Sequence, residues 1–547
     1  MSPFIRPGRR SVAVLLAIPM LVLAGCSSVI VGTAAPVGTV QQSTTTSGSR
    51  PTDTGPAPAG LAKFYSQQLK WQACADYAQT ETDRQTYGTP GLQCARMTVP
   101  ASYDEPDGGD ATVGVLKSKT TGDHSEHLGS VVFNPGGPGG SGMSTVATFA
   151  AYGLAADLRE RFDLVGFDPR GTGASRPVIS CHTDAEMDAE RAANLQPRTA
   201  GDVTEINQHS EQLAKDCADR TGKDEGIDGA AFLGSIGTRD VARDMDILRA
   251  LLGDAKLTYV GFSAGTRLGT EYAERFPGNV RAMILDGAID PTLDQTTQVV
   301  NQGKGFQNAF NEFAKWCAGQ PGCVLGTDPK TATAKYQKLV RPLLDKPLKL
   351  ADGRVFTYDD ASTGTSEAMY TESYRGALMK GLKELSQGTG TTLMQLADAY
   401  YDRDSSGHYS SLIDAFSAIS CLDNTRQDPA EAAADDAKYF AAAPFMDPGF
   451  TPLPTKGLCD YWPAEPTMKP HTPNVPGLPT VLVISTTGDP ATPYQAGVDL
   501  AKDLKAGLLT VQGNRHTAYL GAGIACADKA GNSYLIELTV PAAGAKC

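Results

Sequence analysis

Gly261-Phe262-Ser263-Ala264-Gly265 follows directly on the apolar run Leu257-Thr258-Tyr259-Val260. A strand that ends in G-x-S-x-G and turns into a helix holds its serine on a tight, strained bend with the hydroxyl exposed. Small flanking residues let strand and helix approach closely, and the helix expected over Ala264 to Phe276 aims its positive end at the serine. That geometry suits acyl transfer with Ser263 as nucleophile. The pentapeptide alone is weak, because a chain with 58 glycines can meet it by chance. The strand before it and the helix after it give it weight against the alternative of a structural turn.

Such an elbow calls for the order serine, acid, histidine, and only His408, His471 and His516 follow Ser263. His408 lies in the polar segment Asp404-Ser405-Ser406-Gly407 and His471 between Pro470 and Thr472-Pro473, so both read as solvated loop residues. His516 follows the strand-like Gly507 to Val511 and the turn Gln512-Gly513-Asn514-Arg515, where a histidine can lean over a sheet edge. It is the expected base. The acid should end the preceding strand, and Pro479 to Ser485 runs into Thr486-Thr487-Gly488-Asp489-Pro490. Taken alone, Asp489 reads equally well as a turn cap; with Ser263 and His516 in place it is the expected acid.

Tetrahedral intermediates need donors aimed at the oxyanion. The strand Ser130 to Phe133 leads into Asn134-Pro135-Gly136-Gly137-Pro138-Gly139-Gly140-Ser141-Gly142, whose bare backbone can approach substrate. The expected donors are the Ala264 N–H and one from Gly136 or Gly137. Gly137 to Gly142 also fits G-x-G-x-x-G, with Asp157 and Asp163 near where a ribose-binding acid would stand, so a dinucleotide site is the rival reading. No cofactor and no metal are called for. His124 and His127 form a potential ligand pair in a polar loop, read here as solvated.

Arg6, Arg9 and Arg10 precede the apolar stretch Val12 to Leu23, which is too short to span a bilayer and reads as a signal peptide over residues 1–25. The ending Leu23-Ala24-Gly25-Cys26 resembles the bacterial lipobox, which implies lipidation of Cys26. Residues 26–60, rich in Ser, Thr and Pro, form a flexible tether. The expected location is the extracytoplasmic face of the cell membrane. Setting Cys26 aside leaves 10 of the 11 cysteines, an even number suited to an oxidising compartment. Joining neighbours in order would pair Cys74 with Cys94, Cys181 with Cys217, Cys317 with Cys323, Cys421 with Cys459 and Cys526 with Cys547. The formal charge of −13 becomes more acidic once the leader is removed, which disfavours nucleic acid as a partner.

Strands are expected at Ser130 to Phe133, Phe162 to Phe167, Leu257 to Val260, Val280 to Leu285, Thr480 to Ser485 and Leu508 to Val511. Helices fall between several of them, such as Arg239 to Leu252 with its stripe Val241, Met245, Leu248 and Leu252. The alternation predicts an α/β fold with a mostly parallel sheet covered on both faces. From 291 to 476 it breaks into mostly helical segments. The reading is therefore a hydrolase core over 61–290 and 477–547, interrupted by a helical cap that shapes the pocket.

The order of elbow, cap, Asp489-Pro490-Ala491-Thr492-Pro493-Tyr494 and late histidine resembles the actinobacterial secreted tripeptidyl aminopeptidases of the α/β-hydrolase fold, related to prolyl iminopeptidases. Pro135 to Gly139 resembles their H-G-G-P-G oxyanion loop, and Asp168-Pro169-Arg170-Gly171-Thr172-Gly173-Ala174-Ser175 their D-x-R-G-x-G-x-S. Pro135 stands where those enzymes carry His, and Arg515 where many have Gly. The likeness runs from about residue 70 to the C-terminus. It implies a peptidase that removes short peptides from free N-termini of peptide or protein substrates. A lipase or carboxylesterase uses the same constellation, and a non-catalytic peptide-binding lipoprotein stays open as a third class. An exopeptidase needs a carboxylate for the substrate amine, and the cap offers Glu312, Asp359, Asp360, Glu367 and Glu372.

Overall fold

The computed structural model describes residues 54–547; the leader, Cys26 and most of the tether lie outside the described residues. An eight-stranded sheet runs in the order β1-β2-β4-β3-β5-β6-β9-β10. Its strands are β1 (Leu92–Pro100), β2 (Asp110–Ser118), β3 (Ser130–Asn134), β4 (Asp163–Asp168), β5 (Leu257–Phe262), β6 (Val280–Asp286), β9 (Leu482–Thr486) and β10 (Gly507–Val511). β2 is antiparallel to β1 and to β4, and the pairings from β4 through to β10 are parallel. A separate hairpin, β7 (Leu348–Lys349) and β8 (Val355–Phe356), lies within the long insertion between β6 and β9. Among the described residues no helix is long and apolar enough to cross a membrane.

The parallel strands are buried on both faces, so alternate residues feed two different cores. Val132, Tyr259, Met283 and Val483 pack with Met245 and Leu248 of helix Thr238–Leu251 and Leu268 and Tyr272 of helix Ala264–Arg275. Phe133, Val260, Ile284 and Ile484 point the other way, against Val146 of helix Gly142–Tyr152 and Tyr534 of helix Ala525–Glu537. The insertion builds a third core around Phe306, Phe310, Tyr336, Leu378, Leu393 and Phe445. It is joined by a segment that the sequence analysis left undescribed. Helices Asp184–Ala193, Ala200–Arg220 and Gly229–Leu233 leave the sheet after β4, and Arg191 on the first donates to Asp360 at 2.9 Å and Asp398 at 2.8 Å in the insertion. The five disulfides join the cysteines neighbour to neighbour, in the expected pairing.

The D-x-R-G-x-G-x-S segment is structural. Arg170 is fully buried and bidentate on Asp244, at 2.7 Å from Nε and 2.6 Å from Nη2. Its remaining donors reach the carbonyls of Pro100, Ala101 and Ser235. Burying one charge without the other is strongly unfavourable, so Asp244→Ala is expected to lower unfolding free energy by about 3–5 kcal/mol. Replacing Arg170 and Asp244 together by Met and Leu is expected to cost less than Asp244→Ala alone. Denaturant midpoints of the variants measure both effects.

Candidate active site

Ser263 sits at φ 53°, ψ −123°, in a region that L-residues rarely occupy. Neighbouring backbone imposes that bend. A Cβ on Gly261 would run into the Gly265 carbonyl, and one on Gly265 would come within 2.7 Å of the Asn134 carbonyl. The Ser263 N–H donates to the Asp286 carbonyl at 2.9 Å, and its own carbonyl accepts from Thr266 N–H at 2.8 Å and Thr266 Oγ1 at 2.6 Å. The bend thus presents the hydroxyl at the start of helix Ala264–Arg275, inside a cavity of about 410 Å3.

Gly136, at φ +91°, packs so closely on the elbow that a Cβ would lie 2.8 Å from the Ala264 nitrogen. Its N–H donates to Asn134 Oδ1 at 3.0 Å. This removes Gly136 from the expected donor pair. Gly137 and Ala264 both line the cavity, and their N–H groups have no hydrogen-bond partner among the described residues. The dinucleotide reading of the same loop fails for a physical reason. The start of helix Gly142–Tyr152, where a pyrophosphate would sit, already faces a carboxylate: Asp168 Oδ1 accepts from Ser141 Oγ at 2.6 Å and Met143 N–H at 3.2 Å.

Asp489 and His516 come together from the ends of β9 and β10. His516 Nδ1 lies 2.9 Å from each Asp489 oxygen, and the Asp489 side chain is inaccessible to solvent. The carboxylate is held by the N–H groups of Ala491 at 3.0 Å and Thr492 at 2.9 Å and by Thr492 Oγ1 at 3.0 Å. Thr492 Oγ1 also stands 3.3 Å from His516 Nδ1. Burial by itself would push the His516 imidazole down, but the charge and hydrogen bond of Asp489 outweigh it and leave it above the ordinary histidine value. No hydrogen bond joins Ser263 to His516 among the described residues. A catalytic hydrogen bond of this kind often tightens only when substrate binds. The insertion holds the histidine loop: His516 N–H donates to the Tyr370 carbonyl at 2.9 Å, and the Tyr370 ring meets the imidazole edge to face at 5.4 Å.

Sequence reasoning missed Asp286. It ends β6, is fully buried, and its Oδ2 accepts from Ala518 and Tyr519 N–H groups at 2.7 Å each, so it anchors the loop just after His516. Burial pushes its carboxyl up to about 7. The available signal was a single acid ending the apolar run Ala282 to Leu285. The other histidines stay out of the cavity: His408 pairs with Asp184 at 3.1 Å and His471 with Glu274 at 2.8 Å. His127 corrects its expectation, since its side chain is only 9% exposed and lies 3.6 Å from Asp163. Among the described residues no three potential ligands cluster around a metal position.

The model for the alpha/beta hydrolase fold family matches residues 129–522. The chain belongs to that family. This hydrolase is 43% identical over 494 residues to the serine protease Hip1 of Mycobacterium tuberculosis, covering 88% of this chain and 91% of that protein. It is 40% identical over 489 residues to carboxylesterase B of the same organism, covering 89% and 91%. Against the tripeptidyl aminopeptidase of Streptomyces coelicolor it is 28% identical over 442 residues, covering 77% and 76%. It is a serine hydrolase of the actinobacterial α/β-hydrolase peptidase family.

Proposed function

We propose that this hydrolase releases tripeptides or other short peptides from free N-termini by an acyl-enzyme mechanism. His516 takes the Ser263 proton as the hydroxyl attacks the scissile carbonyl, and the Ala264 and Gly137 N–H groups receive the oxyanion. Asp489 fixes the imidazole tautomer and stabilises the imidazolium. His516 then gives its proton to the leaving amine, and water repeats the sequence to free the acyl group.

The observation that carries the peptidase reading is Glu367. Four of the five candidate acids named in the insertion are already engaged: Glu312 with Lys315 at 2.5 Å, Asp359 with Gln196 at 2.9 Å, Asp360 with Arg191, and Glu372 with Arg375 at 2.9 Å. The Glu367 carboxylate has no hydrogen-bond or ion-pair partner among the described residues, and burial pushes it up to about 7. Glu367 ends helix Tyr358–Glu367 and lies in sequence between Ser366 and Tyr370, both of which line the Ser263 cavity. Its charge acts on the neighbouring Tyr370 and Tyr400. A substrate ammonium would supply the missing counter-charge. About 10 Å from Ser263, at 3.3–3.6 Å per extended residue, would set a tripeptide length. Glu367→Gln is expected to lower kcat/KM for free tripeptidyl substrates about tenfold or more, with N-acetylated versions little affected. Equal cleavage of free and N-acetylated peptides by the wild type would reject the reading.

A second reading rests on the 40% identity to a relative named carboxylesterase B: hydrolysis of cell-envelope esters. Acyl esters outrunning every free peptide would favour it. For location, the lipobox-like Leu23-Ala24-Gly25-Cys26 and five disulfides support a lipoprotein on the extracytoplasmic face of the membrane. Cys26→Ala is expected to move the enzyme from the membrane to the soluble fraction with kcat unchanged and to abolish labelling by a fatty-acid analogue. Persistent labelling would contradict the anchor.

A further inference from the structure

Arg267 lies one helical turn beyond Ser263 on helix Ala264–Arg275 and lines the same cavity. Among the described residues its guanidinium has two hydrogen bonds, both long and both to neutral amides: Nη1 to Asn424 Oδ1 at 3.4 Å and Nη2 to Gln298 Oε1 at 3.5 Å. It forms no ion pair among the described residues. Asp423, the one acid lining the cavity, is buried, and the Arg267 charge offsets part of the upward push that burial gives its carboxyl, but no hydrogen bond or ion pair joins the two among the described residues. Asp423 caps helix Thr238–Leu251, accepting from the Thr238 N–H at 2.9 Å and from Thr238 Oγ1 at 2.5 Å. The next acid along the helix, Glu271, is held by Arg275 at 2.6 Å. Two long amide contacts leave most donors of this half-buried guanidinium unused, and the partner that fits its planar fork is a carboxylate.

Helix Gln295–Ala318 gives the cavity a direction. Gln298, Gln302 and Phe306 face it in successive turns. Gln298 touches Arg267, whereas the Phe306 ring packs 5.7 Å from Tyr370, beside Glu367. Eight residues at 1.5 Å each separate the two contacts by about 12 Å along the axis. Three to four extended residues cover that length. One end of the cavity therefore has a carboxylate without a hydrogen-bond partner nearby, and the other carries a guanidinium that touches no carboxylate directly.

We propose that Arg267 is a specificity residue that binds a carboxylate of the substrate, either the C-terminal α-carboxylate of a short peptide or an acidic side chain. The inference deepens the peptidase reading and rests on it for the peptide scaffold. It makes the enzyme selective for small anionic fragments despite its net charge of −13.

The test is a set of matched substrate pairs differing only in charge. One pair is a short peptide with a free C-terminus and its carboxamide. A second is a C-terminally amidated peptide with Glu or Gln beyond the scissile bond. The third is the 4-nitrophenyl monoester of glutaric acid and the corresponding ester of its monoamide. Within at least one pair the wild type is expected to favour the acid about ten- to a hundredfold in kcat/KM, mainly through KM. Arg267→Gln should bring that ratio close to one, and Arg267→Lys should restore part of it. The pair that shows the preference identifies the source of the carboxylate. Because the readout is a ratio within one protein, a general loss of activity cancels. Equal turnover of acid and amide by the wild type in all three pairs, or a preference that survives Arg267→Gln, overturns the proposal. Preference confined to the glutaric ester, with all peptides inert, would uphold the carboxylate site and reject the peptidase reading.

Discussion

Ser263→Ala and His516→Ala are each expected to lower kcat by about four to six orders of magnitude, and the double variant should be scarcely worse than either. The non-additivity follows from the proposed mechanism. Without the hydroxyl there is nothing for the imidazole to deprotonate, and without the imidazole the hydroxyl is a poor nucleophile at neutral pH. Donors such as the Gly137 and Ala264 N–H groups would remain, so activity should level off at about 10^3–10^4 over water. Both variants should stay folded. The elbow's shape comes from the close approach of Gly136, Gly261 and Gly265 to surrounding backbone, and the Ser263 main-chain hydrogen bonds survive truncation. Single-turnover kinetics on the three variants, with near-UV circular dichroism as the control for folding, gives the comparison. Effects that multiply would mean that the two residues act independently.

Asp489→Asn is expected to cost about 10^4 in kcat and to move the pH profile. His516 must be neutral to accept the serine proton, so kcat/KM rises with pH through the imidazole's titration. With Asp489 ionised, that limb should lie above the ordinary histidine value of about 6.5, because the carboxylate outweighs the burial that favours the neutral ring. In Asp489→Asn the charge is gone and the burial remains, so the limb should shift to lower pH. Asp286→Asn provides the contrast. Its carbonyl can still accept from the Ala518 and Tyr519 N–H groups, and burial pushes the carboxyl it replaces up to about 7, so the loss should be far smaller. If the two asparagine variants lost activity equally, Asp286 would have to share the acid's role.

The candidate nucleophile, acid and base, Ser263, Asp489 and His516, could be picked out in the sequence because each follows a short apolar strand, and a strand end can be read from its own few residues. The parallel strands were legible for the same reason, as near-continuous apolar runs. The antiparallel pair β1 and β2 was not. Arg96 sits inside β1 and Asp110 opens β2, and the buried Met97, Val99, Val113 and Val115 are interrupted by the half-buried Thr98 and by Gly114, which carries no side chain to mark a face. The oxyanion donor was narrowed to two neighbouring glycines and no further, because the choice depends on where the Asn134 amide points. The five cap acids could not be ranked for a similar reason. Asp359 and Asp360 are engaged by Gln196 and Arg191, more than 160 residues earlier, and Glu372 also receives Asn514 Nδ2 from 142 residues later. Such partners become visible only when the chain is folded.

The most direct test of the account is to treat the folded enzyme with one equivalent of a fluorophosphonate and locate the adduct by peptide mass mapping. The account predicts stoichiometric modification of Ser263, with loss of all hydrolytic activity and no adduct in Ser263→Ala or after denaturation. An unmodified Ser263 in an active enzyme, or an inactivating adduct on another serine, would contradict it.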